Sequence, residues 1–409
     1  MKESMHAEHF YEKECNLFCP GKNSNTCQCG LLKEKHEKEV LEKSHGSQWD
    51  SATSTKKTKW RCAGTVQFEN QNRTDRGPSP YMRIADDVDV DTLVKHIRAS
   101  WNVPEPSLIV SVTGGAADAE LKKEDQEQLR RWLQKVAAIN QAWIITGGTN
   151  TGIMKICGEA VRDQNFSSAP GTNKQAVAIG IATWGAIAGS ADYLTPPASH
   201  EDDIYYKAVY KKPDKGAELD PNHTHFILCD DGSRNQFGKE QKLRGKFEKA
   251  LSNIGKGGQF TFAGSKVPIV CVVVEGGPGT IDTTRNALLN DTPCIVFDGS
   301  GRAADVLAFA VQISRKEIDD INFLTCEPQS KNSKYPEKSE DGIKELIRKK
   351  TEKDLNMKGE TLDQTLDWLM ECLNYKEKIT IFKFHEHDDD SAAYFHVSIS
   401  LIDSIGKSG

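Results

Sequence analysis

The most constraining feature of the sequence is a recurring join. A short run of continuous apolar residues stops at a cluster of glycines, and a helical pattern starts at once. The clearest copy spans Trp143 to Cys157: Trp143, Ile144 and Ile145 give way at Thr146 to Gly147, Gly148, Thr149, Asn150, Thr151 and Gly152, and Ile153 to Arg162 continues at helical spacing. A strand, a glycine turn and a helix start in that order present backbone N–H groups at a helix N-terminus, which suits an anion such as phosphate. Glycine fits there because it takes φ > 0 and lets a ligand approach the backbone. A single such turn is equally well read as a tight strand–helix connection, so the weight lies in repetition.

The join repeats along the chain. Leu108 to Val112 ends in Thr113-Gly114-Gly115-Ala116, Ala176 to Ile181 ends near Thr183-Trp184-Gly185, and His225 to Cys229 enters Asp230-Asp231-Gly232-Ser233. Ile269 to Val274 enters Glu275-Gly276-Gly277-Pro278-Gly279-Thr280, and Cys294 to Phe297 enters Asp298-Gly299-Ser300-Gly301-Arg302. Helical patterns lie between them at Leu121 to Val136, Lys239 to Leu251, Ile281 to Leu289 and Ala303 to Val311. Strands that read as continuous apolar runs, alternating with helices, indicate a parallel sheet covered on both faces. In such a sheet ligands bind beyond the carboxyl ends of the strands. The expected fold is therefore α/β: a Rossmann-like, mostly parallel sheet with helices on both faces, plus an N-terminal extension and a C-terminal α+β segment. The expected boundaries are a Cys-containing extension over 1–103, the sheet domain over 104–325 and the C-terminal segment over 326–409.

The flanks are more polar. Within the first 85 residues lie Cys15, Cys19, Cys27, Cys29 and His36. Cys15, the Cys27-x-Cys29 pair and His36 could supply four zinc ligands, since thiolate and imidazole suit a tetrahedral site. Their spacing matches none of the usual zinc-finger patterns, and the alternative is a set of packed or free thiols. Asp91 to Trp101 resembles a short amphipathic helix, and Arg76 to Pro80 is turn chemistry. The stretch Gly189 to Asn222 is too long for a plain connection and is expected to be a functional loop or an insertion. Glu327 to Glu340 reads as a linker, Gly342 to Lys353 and Thr361 to Tyr375 as helices, and Lys378 to Phe384 as a half-exposed strand. Tyr394 to Ile405 ends without a stop signal, as if the polypeptide continued.

Composition excludes some classes. A net charge of −6 gives no general reason to bind nucleic acid. No segment approaches the ~20 apolar residues of a membrane helix, and the charged N-terminus is no signal peptide. The 11 Cys are scattered, some inside core strands, which suits reduced thiols in the cytosol rather than a disulfide framework.

The chemistry on offer is glycines, hydroxyls and two cations. Arg302 opens a helix after Gly299-Ser300-Gly301, where guanidinium and backbone N–H groups can share a phosphate. Phe237 can stack on a base, and Arg244, seven residues on, can pair with a phosphate. The alternative for each arginine is an ordinary helix-surface charge. No Gly-Lys-Ser/Thr follows any of the glycine turns, Gly-x-Gly-x-x-Gly is absent, and there is no nucleophile elbow. Asp230, Asp231, Glu275 and Asp282 are read as helix caps or solvent-facing carboxylates rather than as a catalytic pair.

SVTGGA, WIITGGTNTGIMK, HFILCDDG, VVEGGPGT and GSGRAAD, in this order, resemble the N-terminal cytosolic region of melastatin-type transient receptor potential channels. The likeness runs from about Glu14 to the KITIFKF stretch and is closest to the ADP-ribose-gated member. The sheet domain of that family is also similar to lysine-decarboxylase-like phosphoribohydrolases, whose Pro-Gly-Gly-x-Gly-Thr-x-x-Glu carries a catalytic Glu. Here Thr283 stands at that position, which implies a phosphate cradle kept without hydrolysis. The resemblance further implies that ADP-ribose is lined by Thr113, Phe237, Arg244 and Arg302, with Phe237 replacing the usual Tyr. Together with the turns, the expected ligand set is Thr113, Gly114, Gly115, Gly148, Thr149, Asn150, Thr151, Phe237, Arg244, Gly276, Gly277, Gly299, Ser300, Gly301 and Arg302. It implies a non-catalytic sensor on the cytoplasmic face of a calcium-permeable channel, whose partners are the remaining channel domains and neighbouring subunits of a homotetramer. A phosphoribohydrolase-like enzyme and a nucleotide-independent assembly domain are the competing expectations.

Overall fold

The computed structural model describes residues 7–43, 46–68, 77–116, 121–139, 141–167, 176–190, 194, 204–206, 216–254, 266–315 and 340–383. The expected linker up to residue 339, the Tyr394 to Ile405 stretch, Arg76, His45 and much of the 189–222 segment lie outside the described residues. By internal contacts the chain forms two compact units, Met1–Ser111 with Leu133–Ile269 and Val112–Trp132 with Val270–Gly409.

The first unit holds a mostly parallel sheet. The first four residues of β5 (Leu108–Gly114) pair with β6 (Ala142–Thr146), from Leu108 opposite Ala142 to Ser111 opposite Ile145. Next come β7 (Val177–Thr183) and β9 (His225–Asp230), both parallel, and every residue of β6, β7 and β9 is buried. That total burial is why these strands read as apolar runs rather than as alternating patterns. β9 also shows the period of two within such a run: Ile227 and Cys229 face one core cluster and Phe226 and Leu228 another. On the Ile227 side, α2 (Val90–Ser100) and α5 (Gln241–Ser252) contribute Leu93, Ile97, Leu243, Phe247 and Leu251. α2 begins where Asp89 accepts the Thr92 N–H at 2.9 Å, an ordinary N-cap. Trp143 is fully buried in this cluster, and truncating it to alanine costs about 3–5 kcal/mol.

Three strands extend the sheet beyond the sequence expectation. β4 (Ser79–Ala85) runs parallel to β9, β3 (Ala63–Phe68) antiparallel to β4, and β8 (Ile204–Tyr206) parallel to β3. β4 is hidden in the sequence by Pro80 and Arg83, yet Arg83 is only 6% exposed. Its charge is met from afar. Its guanidinium donates to Glu12 and to Asp230, both at 2.8 Å, and lies 4.5 Å above the Trp184 ring. Glu12 belongs to β1 (Tyr11–Cys15), which pairs antiparallel with β2 (Thr55–Lys59), and it also accepts the N–H groups of Arg61 and Cys62. The N-terminal segment is thus bound to the sheet through a buried, hydrogen-bonded ionic cluster.

The second unit is built on β10 (Ile269–Val274), β11 (Cys294–Asp298) and β12 (Ile379–Lys383). β11 runs parallel to both neighbours. Its helices are α6 (Pro278–Leu289), α7 (Arg302–Arg315), α8 (Glu340–Leu355) and α9 (Glu360–Leu373). α7 is buried along nearly its whole length, and Ala304, Leu307, Val311, Ile347, Leu362, Leu366 and Leu369 share one core. The Rossmann-like α/β expectation holds, with β12 joining the parallel sheet rather than standing apart.

Candidate functional site

In the second unit three glycine turns face chemistry that can be followed atom by atom. After β10 the backbone turns through left-handed conformations at Glu275 (φ 56°) and Gly276 (φ 95°) before α6 starts at Pro278. Gly277 accepts the Thr280 N–H at 2.9 Å, and proline at the first helical position gives up no needed donor. The Thr280 hydroxyl lies 3.3 Å from the Gly114 carbonyl, and Ser300 Oγ accepts the Glu275 N–H at 2.8 Å while donating to Phe297 O. The hydroxyls of Thr280 and Ser300 therefore tie the turns after β5, β10 and β11 together. A Cβ on Gly115 would stand 2.1 Å from Glu275 Oε2, which places the buried Glu275 carboxylate against this turn. Thr113 is buried just ahead of it.

The turn Gly299 to Arg302 already holds an anion, its own. Asp305 Oδ1 accepts the N–H groups of Gly299 (2.8 Å) and Gly301 (2.9 Å). Those two donors, which sequence reasoning offers to a phosphate, are occupied by a side chain one helical turn downstream. Arg302 itself is different. Its φ is 50°, it is partly buried, and among the described residues its guanidinium has neither hydrogen bond nor ion pair. A Cβ on Gly277 would lie 3.8 Å from its Nη2, which places the cation beside the N-terminus of α6. A positive charge at the positive end of a helix is unfavourable unless an anion joins them.

The Asp282 carboxylate on α6 is committed. Asp282 Oδ1 accepts from Arg285 at 2.9 Å and from Asn286. Thr283, where the hydrolase pattern has its glutamate, turns its hydroxyl back to the Gly279 carbonyl at 2.9 Å.

In the first unit the turn Gly147 to Thr151 is held mainly by the chain itself. Gly148 (φ 68°) donates to Thr146 Oγ1 and accepts from the Asp220 N–H, and Asn150 donates to the Glu218 carbonyl. A Cβ on Gly148 would meet Gly180 Cα at 2.6 Å, so close strand packing alone demands glycine here. Thr149 and Thr151 bond to each other at 3.0 Å. Beneath the turn lies a relay that the sequence does not announce. His223 Nδ1 is 2.6 Å from Asp220 Oδ2 and its Nε2 is 2.7 Å from Thr146 Oγ1, with His223 and Asp220 inaccessible to solvent. The order of groups is that of a catalytic triad, but its burial makes it a brace.

Arg244 is 5% exposed: it donates to Glu248 (2.9 Å), Ser111 (2.8 Å) and the Ile145 carbonyl (3.0 Å). Phe237, by contrast, is 61% exposed between Asn235 (φ 55°) and Gly238 (φ 82°).

The N-terminal cysteines also come together. The donor atoms of Cys15, Cys27, Cys29 and His36 all lie within 4.8 Å of one another, with the three thiols buried and His36 half-buried. A tetrahedral zinc with sulfurs at about 2.3 Å would space such atoms about 3.8 Å apart. The surrounding donors match. Cys15 Sγ accepts from Trp49 Nε1 at 3.3 Å, Cys27 Sγ from the Cys19 N–H at 3.4 Å and Cys29 Sγ from the Leu31 N–H at 3.5 Å. His36 Nδ1 faces the Leu32 carbonyl at 3.0 Å, which fixes its proton there and leaves the Nε2 lone pair toward Cys29. A hydrogen bond from Cys29, helped by Trp49, lowers the Cys15 thiol to about 5. This cluster can hold a metal.

The whole arrangement has relatives. A family model described as SLOG in TRPM matches residues 79–372. The chain is 37% identical over 335 residues to the transient receptor potential cation channel subfamily M member-like 2 of Nematostella vectensis, covering 80% of this chain and 21% of the relative. It is 37% identical over 325 residues to subfamily M member 2 of Mus musculus, covering 76% and 21% respectively. To subfamily M member 6 of Mus musculus it is 30% identical over 422 residues, covering 97% and 19%. The chain thus spans about a fifth of the length of these relatives. No described helix is long and apolar enough to cross a membrane. With the family match running through both units and every glycine turn, the chain belongs to the melastatin-type transient receptor potential channels, as their N-terminal SLOG region.

Proposed function

We propose that this region is the cytosolic ligand-binding regulatory domain of a calcium-permeable channel and that it binds ADP-ribose without turning it over. The observation that carries the reading is Arg302: a partly buried guanidinium without a protein partner among the described residues, beside the N-terminus of α6. A diphosphate there meets guanidinium and helix dipole together. Thr113, Gly114, Gly115, Gly276 and Gly277 form the floor of that proposal, and Ser300 with Gly299 and Gly301 holds its shape. From the first unit the proposal takes exposed Phe237 as a stacking surface for a base or ribose, with Arg244, Gly148, Thr149, Asn150 and Thr151 as the other ligand residues of the sequence reading. The matches to subfamily M member 2 of Mus musculus fit the channel part of this reading. The partners are the remaining channel domains and neighbouring subunits of a homotetramer, on the cytoplasmic face. Ligand biases the channel to the extent that the gated state holds it more tightly. The Cys/His cluster is read as a structural metal site of the same module.

Calorimetric titration with ADP-ribose, with AMP as comparison and chromatography of the recovered ligand, tests the reading. Saturable binding with intact ligand is expected, and Arg302→Ala weakens it about 10- to 100-fold, the loss of a charge-assisted contact. Unchanged affinity in that variant places the site elsewhere. The occupation of two backbone donors by Asp305 favours a second reading, an assembly domain that needs no nucleotide. No heat and no ligand-dependent rise in thermal stability support it. Ribose phosphate in the chromatogram would establish an enzyme instead.

A further inference from the structure

We infer that a zinc ion on Cys15, Cys27, Cys29 and His36 clamps the loop 231–238, the loop that presents Phe237. This rests on the metal reading above and extends it from a local staple to control of a distant segment. Three sulfurs and one imidazole in a cluster of tetrahedral size select zinc over oxygen-preferring cations. Each sulfur has its N–H donor and His36 has its Nε2 directed inward, so the ligands are oriented before any ion arrives.

The ligand turn touches the loop directly. The Arg234 N–H donates to the carbonyl of Cys29, itself a zinc ligand, at 2.5 Å. Gln236 Nε2 donates to the carbonyl of Gln28 at 2.8 Å, and Gln28 lies between the two cysteines of the Cys-x-Cys pair. Gly30 sits at φ 95°, where a Cβ would stand 2.1 Å from the Arg234 carbonyl oxygen, so the turn and the loop are in backbone contact. From the other side, the Asn235 N–H donates to the Gly185 carbonyl at 2.8 Å, and a Cβ on Gly185 would stand 1.9 Å from Ser233 O. The loop is held between two glycine turns. One, at Gly185, follows β7 and is secured by the sheet. The other, at Gly30, lies in a segment of short turns closed by bonds such as Cys27 N–H to Leu31 O and Gln28 N–H to Cys19 O around a core of six buried residues, and a metal on its four ligands would tie those turns together. Phe237 is exposed and belongs to none of the described core clusters, so its position depends on that pair of grips.

The test uses the whole chain with and without zinc, read by metal analysis and by hydrogen exchange of loop 231–238, with peptides of β6 and α5 as internal references. One zinc per chain is expected, and its removal by a chelator should speed exchange across 232–237 by about tenfold or more while the references stay unchanged. Gly30→Ala and Gln236→Ala retain all four ligands. They should keep one zinc per chain and still speed loop exchange. A chain that binds no zinc overturns the metal reading and the clamp with it. Stoichiometric zinc with loop exchange indifferent to both chelation and Gly30→Ala overturns the clamp alone and leaves the metal reading standing.

Discussion

At the scale of single residues the molecule separates groups that work on the fold from groups that wait for something else. His223 belongs to the first kind. With Thr146 on one ring nitrogen and Asp220 on the other, it satisfies two buried polar groups at once. His223→Ala strips the main partner from a carboxylate that is inaccessible to solvent, and about 3–5 kcal/mol of stability should go with it. Thr146→Val, which removes a neutral partner only, should cost about 1–3 kcal/mol. Urea midpoints of the two variants check the ranking, and equal losses would mean that the Asp220 half of the relay carries no extra weight. Arg302 belongs to the second kind, since no described residue answers its charge. Asp298 shows the price of proximity to that turn: burial, with Asp305 close by, raises its carboxyl above the ordinary range.

At the scale of elements the glycine turns look alike in sequence and differ in cause. Gly148 is glycine because Gly180 stands against it on the next strand, and Gly359 (φ 64°) because the chain enters α9 through a left-handed residue in open space. Alanine at Gly359 should therefore cost only the backbone strain of φ 64° with ψ −147°, about 1–3 kcal/mol, and alanine at Gly148 about 3–5 kcal/mol, strain plus overpacking. Thermal unfolding of both variants measures the difference, and a Gly148→Ala as mild as Gly359→Ala would remove the packing explanation. The same comparison shows what the sequence makes legible. Strands buried on both faces announce themselves: Ile269 to Val274 is an apolar run from end to end and forms β10 with those bounds. β4 does not, because Arg83 is intelligible in a buried strand only once Glu12 and Asp230, distant in the chain, are placed beside it. β8 is three residues long, too short for any pattern. The Cys and His ligands are legible as residue types, but their convergence depends on turns with no spacing signature. Glycine turns are legible too, whereas the filling of one of them by Asp305 depends on a rotamer and is not.

At the scale of the whole chain the question is how a polar N-terminal segment comes to be part of a Rossmann-like sheet. Phe10 enters the core cluster of the sheet beside Trp60, and a second attachment runs through charge: Glu12 from β1, Arg83 from β4 and Asp230 from the end of β9 share one buried cluster, and the Lys13 N–H adds a donor to Asp230 at 2.8 Å. Replacing such a cluster by apolar groups can be neutral, but removing one partner leaves the others uncompensated. Arg83→Ala leaves two buried carboxylates without their shared cation, which should cost about 3–5 kcal/mol near neutral pH. A second variant separates charge from packing. Arg83→Met keeps a long apolar stem and removes the charge, so it should lose about as much as Arg83→Ala if the ionic cluster carries the attachment. Urea midpoints of the two variants give the comparison. A Met variant close to the unaltered chain would mean that the side chain acts by packing on Trp184, 4.5 Å away, and that apolar contact rather than charge holds the N-terminal segment in place.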